Sequence, residues 1–172
     1  VHCRGHIITK KLPTRELLNE ILKPYHCEEE NNESGFDWDW WQIGGRYGGG
    51  IKIHFDPNEN EDNWFCLHDR NNKYFISAAL DELKENIKFY DELDWLQYMG
   101  LKENTLYVDG GYSKDFIDFD ISSCYVVIDE EGKIYTRETW NGEAWKQHLD
   151  FDNKVKEIDL TDKFITVIDF HY

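Results

Sequence analysis

The chemistry-bearing residues of this chain concentrate in FDWDWWQIGGRYGGG, Phe36 to Gly50. Trp38, Trp40 and Trp41 stand there with Asp37, Asp39 and Arg46, beside Gly44, Gly45, Gly48, Gly49 and Gly50. Glycines permit positive φ and let backbone approach a ligand or another chain closely. A guanidinium flanked by bare backbone N–H groups holds a carboxylate or phosphate bidentately. Indole faces stack on a base, a sugar or a partner's side chain. Asp37 and Asp39 accept hydrogen bonds from such a ligand, or hold Arg46 in place. Trp38, Asp39, Trp40, Trp41, Gly44, Gly45 and Arg46 are therefore the candidate ligand- or partner-binding residues. A structural role stands beside this one. Tryptophans build cores, an Arg–Asp pair fixes a loop, and glycines mark a bulge entering the next strand. A phosphate-binding loop is excluded, because no Lys-Ser/Thr follows the glycines.

Other residues offer less. Asp169 and His171 stand two apart on the last expected strand and share a face, as do His2 and His6 on the first. If the terminal strands pair, the four meet as an acid–base or metal cluster. Against that, His2 and His171 sit where chains fray. Cys66 and His68 share a strand face beside Asp69. Their spacing leaves the Cα atoms about 7 Å apart, too far for a nucleophile and its base. His26-Cys27 lies beside a loop. The four cysteines, Cys3, Cys27, Cys66 and Cys124, form no C-x-x-C pair, so a zinc knuckle is not expected. Neither a metal nor a cofactor is expected.

The charge narrows the partner. Formal net charge is −16 at pH 7, with 35 acids against 19 Lys+Arg. Such a surface repels nucleic-acid phosphates and anionic membranes and favours a basic partner. The acids run in blocks. Glu28, Glu29, Glu30, Glu33, Asp37 and Asp39 form one, and Asp56, Glu59, Glu61, Asp62 and Asp69 another. Glu28, Glu29, Glu30, Glu33, Glu59, Glu61 and Asp62 are the expected acidic partner surface. Residues 1–25 are mildly basic. No apolar run approaches membrane-spanning length and no signal peptide is read, so a cytoplasmic protein with reduced thiols is expected.

The elements that must position these residues follow from periodicity. With 172 residues, 40% of them hydrophobic and 16% aromatic, the chain suits one domain with a ring-rich core, 1–172. Residues 2–9 read as a strand weakened by Gly5. Thr14 caps a helix over RELLNEIL, which Pro24 ends. Residues 27–35 and 56–63 read as acidic loops, 51–55 as a strand, and 64–76 as one or two short strands. A helix is expected over 78–98, a strand at 105–109 and a loop at 110–115. CYVVID and KIYTR flank EEG as a hairpin. A helix is expected over 141–158, starting at Asn141 or Gly142, and 164–172 as a central closing strand. The sum is an α+β domain: a mainly antiparallel sheet with about three helices packed on one face, in a split β-α-β-like arrangement.

Several of these segments together resemble a group of small proteins found widely in phage and prophage genomes. PTRELLNEILKPY (13–25) fits its P-T-x-E-x-L-x-x-I-L-x-P-Y pattern, and WDWWQIGGRY (38–47) its W-D-W-[WY]-x-I-G-G-R-[WY] signature. DEEGKIY (129–135) fits a D-x-x-G-K-W-Y hairpin with Ile134 in place of the aromatic, and TVIDFHY (166–172) a terminal T-V-V-D-x-H-I. The resemblance leaves out roughly 56–120, which is acidic and asparagine-rich. It implies phage association and one shared site built from Trp38, Asp39, Arg46, Asp169 and His171, and it supplies no activity.

Two readings follow. The first is a phage-encoded, non-enzymatic counter-defence protein, in concrete form an anti-CRISPR inhibitor. Its acids would cover the basic channel of a host nucleoprotein complex, and exposed tryptophans would anchor it. The alternative is a small-ligand protein, a nucleotide sponge or hydrolase. Arg46 and the glycine backbone would hold the anion, a tryptophan would stack the base, and Arg46, Asp169 and His171 would be catalytic. The charge favours the first reading; the compact polar signature favours the second.

Overall fold

A computed structural model of the chain describes residues 1–54 and 105–172. In chain order the elements are β1 (His2–Thr9), α1 (Arg15–Leu22), β2 (Trp40–Ile43), β3 (Ile51–His54), β4 (Thr105–Val108), β5 (Gly110–Tyr112), β6 (Val126–Asp129), β7 (Ile134–Thr136), β8 (Glu138–Trp140), β9 (Trp145–Gln147), α2 (Phe151–Lys156) and β10 (Phe164–His171). The expected features at 56–63, 64–76 and 78–98 lie outside the described residues.

The two ends of the chain make the centre of the main sheet. β10 is antiparallel to β1 along its whole length, with His2 opposite His171 and Thr9 opposite Phe164. β6 runs parallel to β1 on its other side and turns back into β7, giving the order β2-β10-β1-β6-β7. The free edge of β10 is shared end to end. β2 takes residues 168–171 and β5 takes 164–166. Val167 is the junction, where its carbonyl accepts Gly44 N–H at 2.9 Å and its N–H donates to Asp109 O at 2.6 Å. So Asp109, the single residue between β4 and β5, marks where the chain passes from the small β3-β4 sheet into the main one.

Alternating side chains place apolar groups on both faces of this sheet. Cys3, Ile7, Val126, Ile128, Ile168 and Phe170 meet Leu18, Ile21 and Leu22 of α1 on one face. Ile8, Val127, Ile165 and Val167 meet Ile51, Ile53, Val108, Phe151 and Val155 on the other. The two described helices thus lie on opposite faces, not on one, because each face carries its own apolar row. Gly5 does not weaken β1. A Cβ there would run into the Phe170 ring, so the glycine makes room for the core.

α1 begins as expected, with Thr14 Oγ1 accepting Leu17 N–H at 3.1 Å. Two other expectations are corrected. GGY at 110–112 is strand β5, because β10 leaves an edge for it. The helix expected over 141–158 is confined to Phe151–Lys156, and Trp145–Gln147 pairs instead with Glu138–Trp140. Asn141 Oδ1 accepts the N–H groups of Glu143 and Ala144 at 3.0 and 2.9 Å, and Gly142 has φ +96. Those contacts close a hairpin turn, and Trp140 and Trp145 pair across it. The described residues hold two α-helices in a sheet-dominated α+β domain.

Candidate acid–base site

Directly opposed residues of neighbouring strands share a face. The register therefore collects His2, Arg4 and His6 of β1 with Asp169 and His171 of β10, and adds Trp40 and Gln42 of β2. At the open end of this row two carboxylate–imidazole pairs form. His2 Nδ1 lies 2.9 Å from Asp169 Oδ1, and His171 Nδ1 lies 2.7 Å from Asp39 Oδ1. A carboxylate accepts, so each Nδ1 is the donor, and in a neutral ring Nε2 is left with the lone pair. The two imidazoles sit 5.0 Å apart, edge to face at 74°. Trp40 stacks on His171 at 5.5 Å and 8°, and presents its ring to His2 at 5.3 Å. The His171 ring N–H holds the exposed Asp39 carboxyl below the usual carboxylate range.

The glycines explain how a buried aspartate is kept in place. Asp169 is only 1% exposed. Its second oxygen, Oδ2, accepts the backbone N–H of Arg46 at 2.9 Å. That N–H faces the carboxylate because Gly44 and Gly45 take φ +71 and +51 and open a 3-10 turn over Gly45–Tyr47. A Cβ on Gly45 would stand 2.5 Å from the Asp169 side chain. Next along the loop, Gly49 N–H donates to Oδ1 of the buried Asp109 at 2.8 Å, and Gly44 packs on the same carboxylate. Tyr47 closes the loop over β1, its hydroxyl donating to His2 O at 3.2 Å. Burial, with Asp169 nearby, raises that hydroxyl's pKa.

Further in, the row becomes structural. Arg4 Nε donates to His6 Nε2 at 2.9 Å, and Arg4 also donates to Gly50 O. His6 Nε2 is thus an acceptor, so its Nδ1 carries the proton and donates to Ile121 O at 2.9 Å. Burial and then the Arg4 charge push the His6 pKa down to about 3. On the opposite face, burial and then Asp169 push the Cys3 thiol up to about 12, leaving no thiolate nucleophile there.

The residues singled out in the sequence thus divide. Asp39, Trp40, Asp169 and His171 come together, and Gly44 and Gly45 cradle buried carboxylates beneath them. Trp38 does not join them; it is buried, with its indole N–H donating to Leu22 O at 3.0 Å. Trp41 faces α1, with the Arg15 guanidinium 5.0 Å over its ring. Arg46 contributes its backbone N–H, and its residue is otherwise exposed, so the expected clamp between its guanidinium and Asp37 or Asp39 is replaced by the backbone bond to Asp169. His6 is separated from the other imidazoles by Arg4. Strand-end fraying argued against both His2 and His171; the structure pairs the two across β1 and β10, and each meets a carboxylate. Glu28, Glu30 and Glu33 are exposed and Glu29 half-buried, whereas Glu59, Glu61, Asp62, Cys66, His68 and Asp69 lie outside the described residues.

Among the described residues, no three His, Cys, Asp or Glu side chains converge as a metal site, and no helix is long and apolar enough to cross a membrane. No family model, curated protein or solved structure matches this chain.

Proposed function

We propose that this chain is a small-ligand protein that hydrolyses a phosphoester of nucleotide type. The observation that carries the reading is the pair of histidines 5.0 Å apart, each held through Nδ1 by its own carboxylate. A carboxylate on Nδ1 fixes the ring and supports the imidazolium, leaving Nε2 to exchange protons. One neutral imidazole takes a proton from water as the water oxygen bonds to phosphorus. The other, protonated, gives its proton to the leaving oxygen as the P–O bond breaks. The two histidines exchange protonation states and reset through solvent. Trp40 offers a ring face for a base, and the exposed Arg46 guanidinium offers charge for the phosphate.

Steady-state kinetics on bis-para-nitrophenyl phosphate and on nucleotide substrates separate these roles. His171→Asn should lower kcat by about a hundredfold or more with little change in KM. Arg46→Ala should mainly raise KM. Equal loss in both parameters for both variants would point to a folding defect, which a thermal melt would reveal. Unchanged kinetics would sink the reading.

A second reading, the phage counter-defence inhibitor, is supported by the exposed Glu28, Glu30 and Glu33 and the net charge of −16. It predicts salt-sensitive capture of a basic nucleic-acid-handling complex, an anti-CRISPR-like block without turnover. Phage origin and a place in the host cytoplasm belong to this proposal.

A further inference from the structure

One cleft among the described residues has none of the histidines in its lining. Tyr172 points to the opposite face of the sheet from His171, and its ring stacks with Tyr125 at 6.3 Å. Around these rings opens a cleft of about 640 Å³, lined by Phe36, Trp140 and Trp145 as well, and by the acidic residues Glu33 and Asp37. Its described lining contains no lysine or arginine.

Trp140 and Trp145 are cross-strand partners on the β8-β9 hairpin, with ring centroids 5.6 Å apart. They remain 46% and 51% exposed. Two indoles on a short hairpin expose apolar surface that a folded chain ordinarily covers. Aromatic faces carry negative charge density and attract cations, the indole of Trp most strongly.

We propose that this cleft binds arginine side chains of a basic protein segment, seated against Trp140 and Trp145 and paired with Glu33 and Asp37. Charge complementarity selects the occupant. The lining joins aromatic rings and two acids to uncharged Asn32, Gly35 and Asn141, Glu28, Glu29 and Glu30 precede it in the chain, and the whole molecule carries −16. Arginine fits better than lysine. Its planar guanidinium stacks on a ring while its edge pairs with a carboxylate, whereas an ammonium is a strongly hydrated point charge. The same chain already stacks guanidinium on rings, Arg15 on Trp41 at 5.0 Å and Arg137 on Phe151 at 4.5 Å. The cleft does not rest on the phosphoesterase reading and is unaffected if that reading fails.

The test is calorimetric titration of the full chain with hexa-arginine, hexa-lysine and a neutral peptide of equal length. It is run at about 0.5 M salt, where the screening length is only a few ångströms and diffuse attraction is suppressed. Hexa-arginine should bind more tightly than hexa-lysine, and the neutral peptide not at all. Trp140→Ala with Trp145→Ala should weaken hexa-arginine by about tenfold or more, since aromatic anchors dominate such contacts. Glu33→Gln with Asp37→Asn, which leaves the rings intact, should weaken it too. Replacing Glu28, Glu29 and Glu30 by glutamine should change it little. No binding, equal binding of both cationic peptides, or a larger loss in the Glu28–Glu30 variant than in the tryptophan variant would overturn the proposal.

Discussion

At the scale of single residues, the histidines of the β1–β10 row differ by what faces their ring nitrogens. His2 and His171 meet carboxylates at Nδ1 and keep Nε2 for other partners. His6 has both nitrogens engaged, one by Arg4 and one by Ile121 O. Its pKa is pushed from 6.5 to about 3, so between those values the unfolded chain binds a proton that the folded chain refuses. Stability from this group is therefore full above pH 6.5 and is lost as pH falls towards 3. His6→Gln, whose amide can both donate and accept, should fold and show a shallower stability loss across that window in urea titrations at stepped pH. An unchanged slope would mean that other groups dominate acid unfolding. Only the shared face was legible beforehand; the pairing of His171 with Asp39 and of His6 with Arg4 was not. The i,i+2 spacing put Asp169 and His171 on one face, and Asp39 was among the candidates. The contribution of Arg46 was not legible, because it is made by the backbone N–H and any residue type can supply one.

At the scale of elements, the glycine turn after β2 is the device that lets a buried carboxylate serve the surface. Gly45→Ala combines two costs, a left-handed φ of +51 and a Cβ 2.5 Å from the Asp169 side chain. The first alone costs about 1 kcal/mol, and the second displaces either Asp169 or the turn, for a total of about 3 kcal/mol. Gly132→Ala is the matched control. It has φ +86 and nothing within 4 Å of the added Cβ, so it should cost about 1 kcal/mol. Chemical denaturation of the two variants checks the difference; equal losses would show that the turn does not press on Asp169. The elements themselves were read well where side-chain period and local capping agreed, as at β1, at α1 with its Thr14 cap, and at the β6-β7 hairpin. The reading failed at 141–158. There Val155 and Phe151 give a helical stripe, and Asn141-Gly142 resembles a helix start, yet the same pair closes a hairpin. What decides is the Trp140–Trp145 cross-strand contact, which joins residues five apart across a turn, a spacing that a helical reading of the segment does not pair. β5 was missed for a different reason: GGY has almost no strand signature, and the distant open edge of β10 recruits it.

At the scale of the whole molecule, a charge of −16 opposes an anionic substrate and favours a cationic partner. Added salt should therefore act oppositely on the two sites. Between about 0.05 and 0.5 M salt, kcat/KM for an anionic phosphodiester should rise by about a few-fold, while affinity for an arginine-rich peptide should fall. Parallel salt dependences would indicate that one surface serves both. The two proposed sites lie on opposite faces of the sheet, and both draw on β10 and the residues beside it, so this strand supports both as well as the core. The measurement that bears most directly on this account is the pH–rate profile of phosphodiester hydrolysis for the native chain, His2→Asn and His171→Asn. The account predicts a bell-shaped profile for the native chain, because one imidazole must be neutral and the other protonated, and a loss of about a hundredfold or more with one limb abolished in each variant. A native chain that releases no product at any pH, or variants that keep the native rate and profile, would contradict it.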